Sequence, residues 1–108
     1  FSVTLVLTSS VLISWTASTD NVATTAYIIH RGTRSACADC VEFCRVPSLV
    51  LQVVNSNVED SECFGVENGT TYFYRMAATD FAANISGFTA TLSVTLPPLP
   101  RRLRFQAP

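Results

Sequence analysis

Short runs that alternate in polarity recur along nearly the whole chain, and they constrain its fold more than any other feature. Val3, Leu5 and Leu7 alternate with Ser2, Thr4 and Val6, and Val11, Ile13 and Trp15 alternate with Leu12 and Ser14. Successive side chains of a β-strand point to opposite faces, so a period of two marks strands with one buried face. No long stretch repeats at the three-and-four spacing of an amphipathic helix. The turn residues Thr8-Ser9-Ser10 between the first two runs make them a hairpin.

The pattern continues. Thr19-Asp20-Asn21 has turn chemistry, because Asx side chains hydrogen-bond their own backbone. Tyr27 and Ile29 then share one face of a strand and Ile28 and His30 the other, and Gly32 ends it. Pro47, after Val46, predicts an edge strand or a break, since proline cannot donate to a ladder. Leu49 to Val54 is a further β-prone run, and Asn55 to Asp60 is polar. Asn68-Gly69 is a turn before a long strand from Thr70 to Thr79, with Tyr72, Tyr74, Met76 and Ala78 on one face. Asp80 to Ser86 reads as a loop and Phe88 to Thr95 as the last strand. About seven strands at this spacing predict an all-β, immunoglobulin-like sandwich of two sheets. The composition changes at Pro97, where PPLPRRLRFQAP holds four prolines and three arginines. The sequence therefore divides into a domain over 1–96 and an extended linker or tail over 97–108.

At 108 residues there is room for one domain. Hydrophobic residues make up 48% and charged residues 14%, against about 25% charged in ordinary domains. Such a chain can bury a core, and its low charge suggests a surface partly covered by neighbours. A net charge of −1 gives no general field for nucleic acid or anionic lipid. No run reaches the length of apolar residues needed for a membrane helix, so no membrane insertion is expected. The missing initiator methionine suggests a processed product or an excerpt.

Three stretches in order resemble a fibronectin type III domain, of the kind found in bacterial secreted and surface proteins. VLISWTASTDNV is similar to the family's second strand and its tryptophan, Trp15 here. AYIIHR is similar to the third strand with its inward tyrosine, Tyr27. VENGTTYFYRMAATDFAANIS resembles the stretch holding the corner tyrosine, Tyr72, with the apolar Val66 six residues before it. The match covers residues 1–96 and is poorest over 37–65, which is longer than the family pattern and rich in cysteine. A buried Tyr72 hydroxyl needs a partner, and a backbone group a few residues upstream would supply it. Trp15, Tyr27 and Tyr72 are the expected core anchors.

Cys37, Cys40, Cys44 and Cys63 permit three disulfide pairings or one four-thiolate metal site. Structural zinc favours two knuckles of the C-x2-C kind, and only one exists here. Haem attachment would need a histidine at position 41, which is Val41. Disulfides are the expected state of a small secreted-type domain. In the sandwich that the resemblance implies, the turns bearing the cysteine cluster and Cys63 share one pole, and some bacterial members carry a C-x2-C like Cys37–Cys40. That favours Cys37–Cys40 with Cys44–Cys63; Cys37–Cys44 with Cys40–Cys63 stays open.

His30, the single histidine, has no nucleophile near it in sequence and reads as an outward strand residue, so no catalytic residue and no cofactor is assigned. Asp20, Asn21, Asp80 and Asn84 fall on two loops at the other pole, where they would cap turns or hold Ca²⁺. Asn68-Gly69-Thr70 and Asn84-Ile85-Ser86 match the glycosylation pattern. Outward positions Ile28 and Phe73 are expected to form an apolar contact spot if their strands adjoin. The functional expectation is a non-catalytic, extracellular or cell-surface module acting as spacer, adhesive element or assembly subunit, docking on itself or on neighbouring domains. The alternative is a carbohydrate- or Ca²⁺-binding accessory module of a secreted enzyme, using the loops Thr19–Thr25 and Asp80–Ser86, where Phe81 is the one aromatic platform.

Overall fold

A computed structural model describes residues 1–6, 9–17, 24–47, 49–57, 63–80, 82 and 84–98. Eight strands form: β1 (Ser2–Val6), β2 (Ser10–Ser14), β3 (Thr24–Gly32), β4 (Val41–Pro47), β5 (Gln52–Ser56), β6 (Cys63–Phe64), β7 (Thr71–Asp80) and β8 (Leu92–Thr95). They make two four-stranded sheets, ordered β1-β2-β5-β6 and β4-β3-β7-β8. This is the two-sheet sandwich the alternation predicts. All pairings are antiparallel except β5 with β6.

The inward parity of each strand supplies the core. Val11 and Ile13 of β2, Val53 of β5, Tyr27 and Ile29 of β3, and Tyr72, Tyr74 and Met76 of β7 are buried together with Val46, Val66 and Leu96. Full burial of each aliphatic side chain contributes about 1.5–3 kcal/mol before entropy is charged against it. Trp15 sits just past β2 at 8% exposure, its ring 5.4 Å from that of Tyr27.

The structure departs from the sequence reading at three strands. The run expected at Leu49–Val54 begins later, at Gln52, because the Val50 N–H closes a turn onto the Pro47 carbonyl (3.0 Å), which leaves Leu49 94% exposed. The last strand shortens to Leu92–Thr95. Before it, the Ser86 and Thr89 hydroxyls accept the Ala78 and Met76 N–H groups (2.9 and 3.1 Å), so side chains stand where ladder carbonyls would. A strand beyond the seven expected, two-residue β6, lies parallel to β5 and pairs Asn55 with Cys63. The cysteine-rich stretch is less irregular than its sequence suggests. Residues 41–47 form edge strand β4, ending at Pro47, where a missing N–H costs no ladder bond.

Candidate functional site

The two ends of the sandwich hold the side chains with chemistry. At the end where β3 finishes and β7 begins, an inward Arg31 meets polar groups from both sheets. Its guanidinium lies 3.9 Å from the centre of the Phe43 ring and 4.3 Å from that of Tyr72. Its Nη1 donates to Asn55 Oδ1 (3.1 Å) and to the Gly65 carbonyl. Asn55, fully buried, accepts the Tyr74 hydroxyl (2.7 Å) and donates through Nδ2 to the carbonyls of Cys63 (2.7 Å) and Gly65 (3.1 Å). Burial pushes the Tyr74 hydroxyl up to about 12, against a smaller opposing pull from the Arg31 charge. Even a partly buried cation is costly unless its donors are met, and ring faces and neutral oxygens meet them here.

The cysteines bracket this network. Cys44 on β4 is bonded to Cys63 on β6, which ties the two sheets together, and Cys37 is bonded to Cys40 within one turn. That turn carries left-handed backbone at Ala36 and Cys37. Asp39 folds back to accept the Thr33 and Arg34 N–H groups, which hold its carboxyl below the usual range, Arg34 first. Gly32 is required there, because a Cβ would fall 2.9 Å from the Cys40 nitrogen. Tyr72 places its hydroxyl 2.9 Å from the Glu67 N–H, which donates to it five residues upstream.

At the opposite end a cleft of about 190 Å³ opens beside Trp15, lined also by Phe1, Thr16, Tyr27, Met76 and Gly87. No residue lining it has a charged side chain. The Trp15 indole N–H is buried with no acceptor. Close by, Asp80 Oδ1 accepts the Ala82 and Asn84 N–H groups (2.9 Å each), and the bonds from Asn84 lower its pKa. These bonds occupy the Asp80 carboxylate in its own turn. Asp20, Asn21 and Phe81 lie outside the described residues, as do the loop before Thr24 and the tail beyond Pro98. Among the described residues no group of three or more His, Cys, Asp and Glu side chains could hold a metal ion.

The other sequence-predicted positions are spread out. His30 points outward, 3.3 Å from Arg75 Nη2 and 4.6 Å from the centre of the Phe88 ring, and burial followed by the Arg75 charge lowers its pKa. Ile28 and Phe73 do not make one apolar spot. Ile28 pairs across β7 with Ala77, whereas Phe73 pairs with Gly32, and the His30–Arg75 pair stands between them. Ile28 is only 1% exposed, flanked by Arg45 and Ala77, so it offers no surface. Asn68 donates to the Pro97 carbonyl (3.0 Å) and accepts from Ser9, and Asn84 donates to Asp80 (3.2 Å).

Sequence reasoning passed over Arg31 and Asn55. A signal existed: Arg31 continues the inward parity of Tyr27 and Ile29, and Asn55 that of Val53. A charged or amide side chain on an inward position implies a buried polar partner.

This architecture is that of fibronectin type III domains. The sixth such domain of human fibronectin type III domain containing protein 3 superposes with a TM-score of 0.68 at 18% identity, over 92% of this chain and 82% of that one. A β-1,2-glucanase from Parabacteroides distasonis matches with a TM-score of 0.64 at 19% identity, over 87% of this chain and 12% of the glucanase. In sequence the chain is related to bacterial enzymes. It is 35% identical over 92 residues to chitinase D of Niallia circulans, covering 84% of this chain and 14% of the chitinase. It is 35% identical over 94 residues to an α-amylase of the same organism, covering 87% of this chain and 6% of the amylase. The chain thus spans about a seventh or less of the relatives it matches. No family model matches it.

Proposed function

We propose that this chain is a non-catalytic accessory module of an extracellular bacterial polysaccharide-degrading protein, holding neighbouring parts of that protein at a fixed spacing. One observation carries the reading: the chain aligns over most of its own length with a small fraction of a chitinase and of an α-amylase, enzymes that share no substrate. A segment common to enzymes of different specificity is explained by a role that does not touch the scissile bond. Two further features support it. Both described disulfides favour an oxidising compartment. His30, the single histidine, is paired with Arg75 and Phe88 on a sheet face.

The test is a replacement in the parent protein. Deleting the module is expected to leave turnover of a soluble oligosaccharide within about twofold and to reduce attack on the insoluble polymer several-fold, by about 1 kcal/mol or more. An unrelated rigid sandwich of similar length should restore the loss. Glycosidic cleavage by the isolated module would overturn the reading, as would a loss on soluble substrate as large as that on the polymer. Intact mass before and after reduction checks the compartment: the secreted protein should gain four protons' mass with reductant.

A further inference from the structure

We propose that the outer face of the β1-β2-β5-β6 sheet docks a second copy of this chain, a partner outside the spacing role. Charge sets the two faces of the sandwich apart. None of the residues of β1, β2, β5 or β6 is charged. The outer face of the other sheet carries the Glu42–Arg45 ion pair and Arg75 beside His30. Glu59, Asp60 and Glu62 fall between β5 and β6 in sequence and lie outside the described residues.

Strand register shows what the uncharged face presents. Thr4, Leu12 and Val54 stand side by side in one row, and Val6, Ser10, Ser56 and Phe64 in the next. Leu12 is directly opposite Val54, and Val6 and Phe64 are their diagonal neighbours, within about 7–8 Å. An apolar stripe therefore crosses all four strands. Val6, Val54 and Phe64 are exposed and Leu12 is half-buried. A contiguous exposed stripe of this kind marks a contact surface, whereas scattered single residues do not. Hydroxyls and one carboxamide flank it, among them Thr4, Ser14 and Gln52.

Two features select a second copy. In a twofold pair the same patch meets itself, so a charged residue near the axis faces its own sign. The face bearing Arg75 would bring like charges together, and the uncharged face brings none. Ser, Thr and Gln side chains both donate and accept, so they pair with their own kind without stranding a donor. Area sets the strength. Strands of five residues, about 4.8 Å apart with a rise of about 3.4 Å per residue, give a footprint of roughly 300 Å² per copy. The pair buries on the order of 600 Å², under the ~1,200 Å² of stable interfaces. The contact is therefore weak, with a dissociation constant on the order of 1 mM, and it matters where copies are held close together.

The test is dilution of the ¹⁵N-labelled, oxidised chain in about 0.15 M salt, which screens exposed charges beyond about 8 Å. At about 1 mM chain half of the copies should be paired, and at about 0.05 mM under a tenth. Amide signals of β1, β2, β5 and β6 should move with dilution, and those of β3, β4, β7 and β8 should hold still. Val54→Lys puts a like charge on both faces and should weaken pairing about tenfold or more, as should Val54→Glu. Mixed in equal amounts, the two variants should regain it, which a variant that had merely failed to fold could not do. Ser93→Lys, exposed on the outer face of the other sheet, should change nothing.

Signals that hold still throughout dilution overturn the proposal. So do movements confined to the other sheet, or to β1 alone, which would report pairing at the sheet edge. A Val54→Lys chain that pairs like the unsubstituted one overturns it too, as does a mixture that stays apart. The rival occupant is a neutral polymer surface, read in a separate arm with powdered chitin. Depletion of the chain by chitin that Val54→Lys abolishes, without a dilution shift, gives the face to the polymer and ends the case for a pair.

Discussion

The two ends of the sandwich solve the same problem in opposite ways. Where β3 ends, Arg31, Asn55, Tyr74 and the carbonyls of Cys63 and Gly65 satisfy one another, and a disulfide crosses between the sheets beside them. Where β3 begins, the wall of the sandwich is left open around Trp15 and its N–H has no acceptor. A polar network that is complete rigidifies and specifies its surroundings, and a buried donor left unpaired weakens them. Stability is therefore expected to concentrate at the disulfide end.

The sharpest way to break that contrast is to cut the inter-sheet link. Cys44 and Cys63 are 19 residues apart, and closing a loop of that length stabilises by about 3 kcal/mol in the chain-entropy model. The paired Cys44→Ala, Cys63→Ala variant should lose at least that much in denaturant unfolding, and a loss under about 1 kcal/mol would remove the rationale for a strong end. Cys37–Cys40 closes a separation of only 3, for which the same model gives about 1.5 kcal/mol. Its turn also holds left-handed Ala36 and Cys37, which costs about 1 kcal/mol or more per residue. Cys37→Ala, Cys40→Ala should therefore cost much less than the other pair. Next in size is Tyr72→Phe, which leaves the Glu67 N–H without its acceptor and should cost about 1 kcal/mol.

Tyr74 tests the same end by pH. Its folded pKa is raised to about 12 from an ordinary value of about 10. A raised pKa means the protonated form is favoured by folding, so this stabilisation is complete below about pH 10 and is lost as pH rises through about 12. Phenolate absorbance should show one tyrosine ionising late, together with unfolding. Asn55→Leu removes the Tyr74 hydroxyl's acceptor, and the late titration should then change along with stability. If Tyr74 ionises near its ordinary value of about 10 in a chain that stays folded, the network is not closed.

The layered fold was legible because a period of two is decided locally: most inward residues of each strand are apolar whatever its partner is, Arg31 and Asn55 being the polar exceptions. Trp15, Tyr27 and Tyr72 stood out for their size on that inward parity. Pairing was less legible. Four cysteines suggested two links but left three ways to join them, and the outcome depends on residues 41–47 being a strand that aims Cys44 across the core. The expected Ile28–Phe73 spot failed for a related reason. Parity put both outward, but register, which sequence does not give, set them opposite Ala77 and Gly32 with His30 and Arg75 between. The cleft had no sequence signal, because it arises from the hydroxyl-spaced approach of residues 86–89 to β7.

The smallest effect belongs to the open end, and it is the one that separates the two ends most cleanly. Asp80 is half-buried and its carboxylate accepts two backbone N–H groups within its own turn, which lowers its pKa, Asn84 first. A depressed carboxyl pKa contributes stability that is present above the unfolded value, near pH 4, and is lost as pH falls through the folded one. Solvent screens these surface hydrogen bonds, so Asp80→Asn at neutral pH should shift the unfolding midpoint far less than Tyr72→Phe does. Its readout is local: hydrogen exchange at the Ala82 and Asn84 amides should speed up while exchange at Glu67 and Val66 stays unchanged. If acid instead opens both ends together, above the pH at which Asp80 titrates, the sandwich behaves as one cooperative unit and the division of labour between its ends is lost.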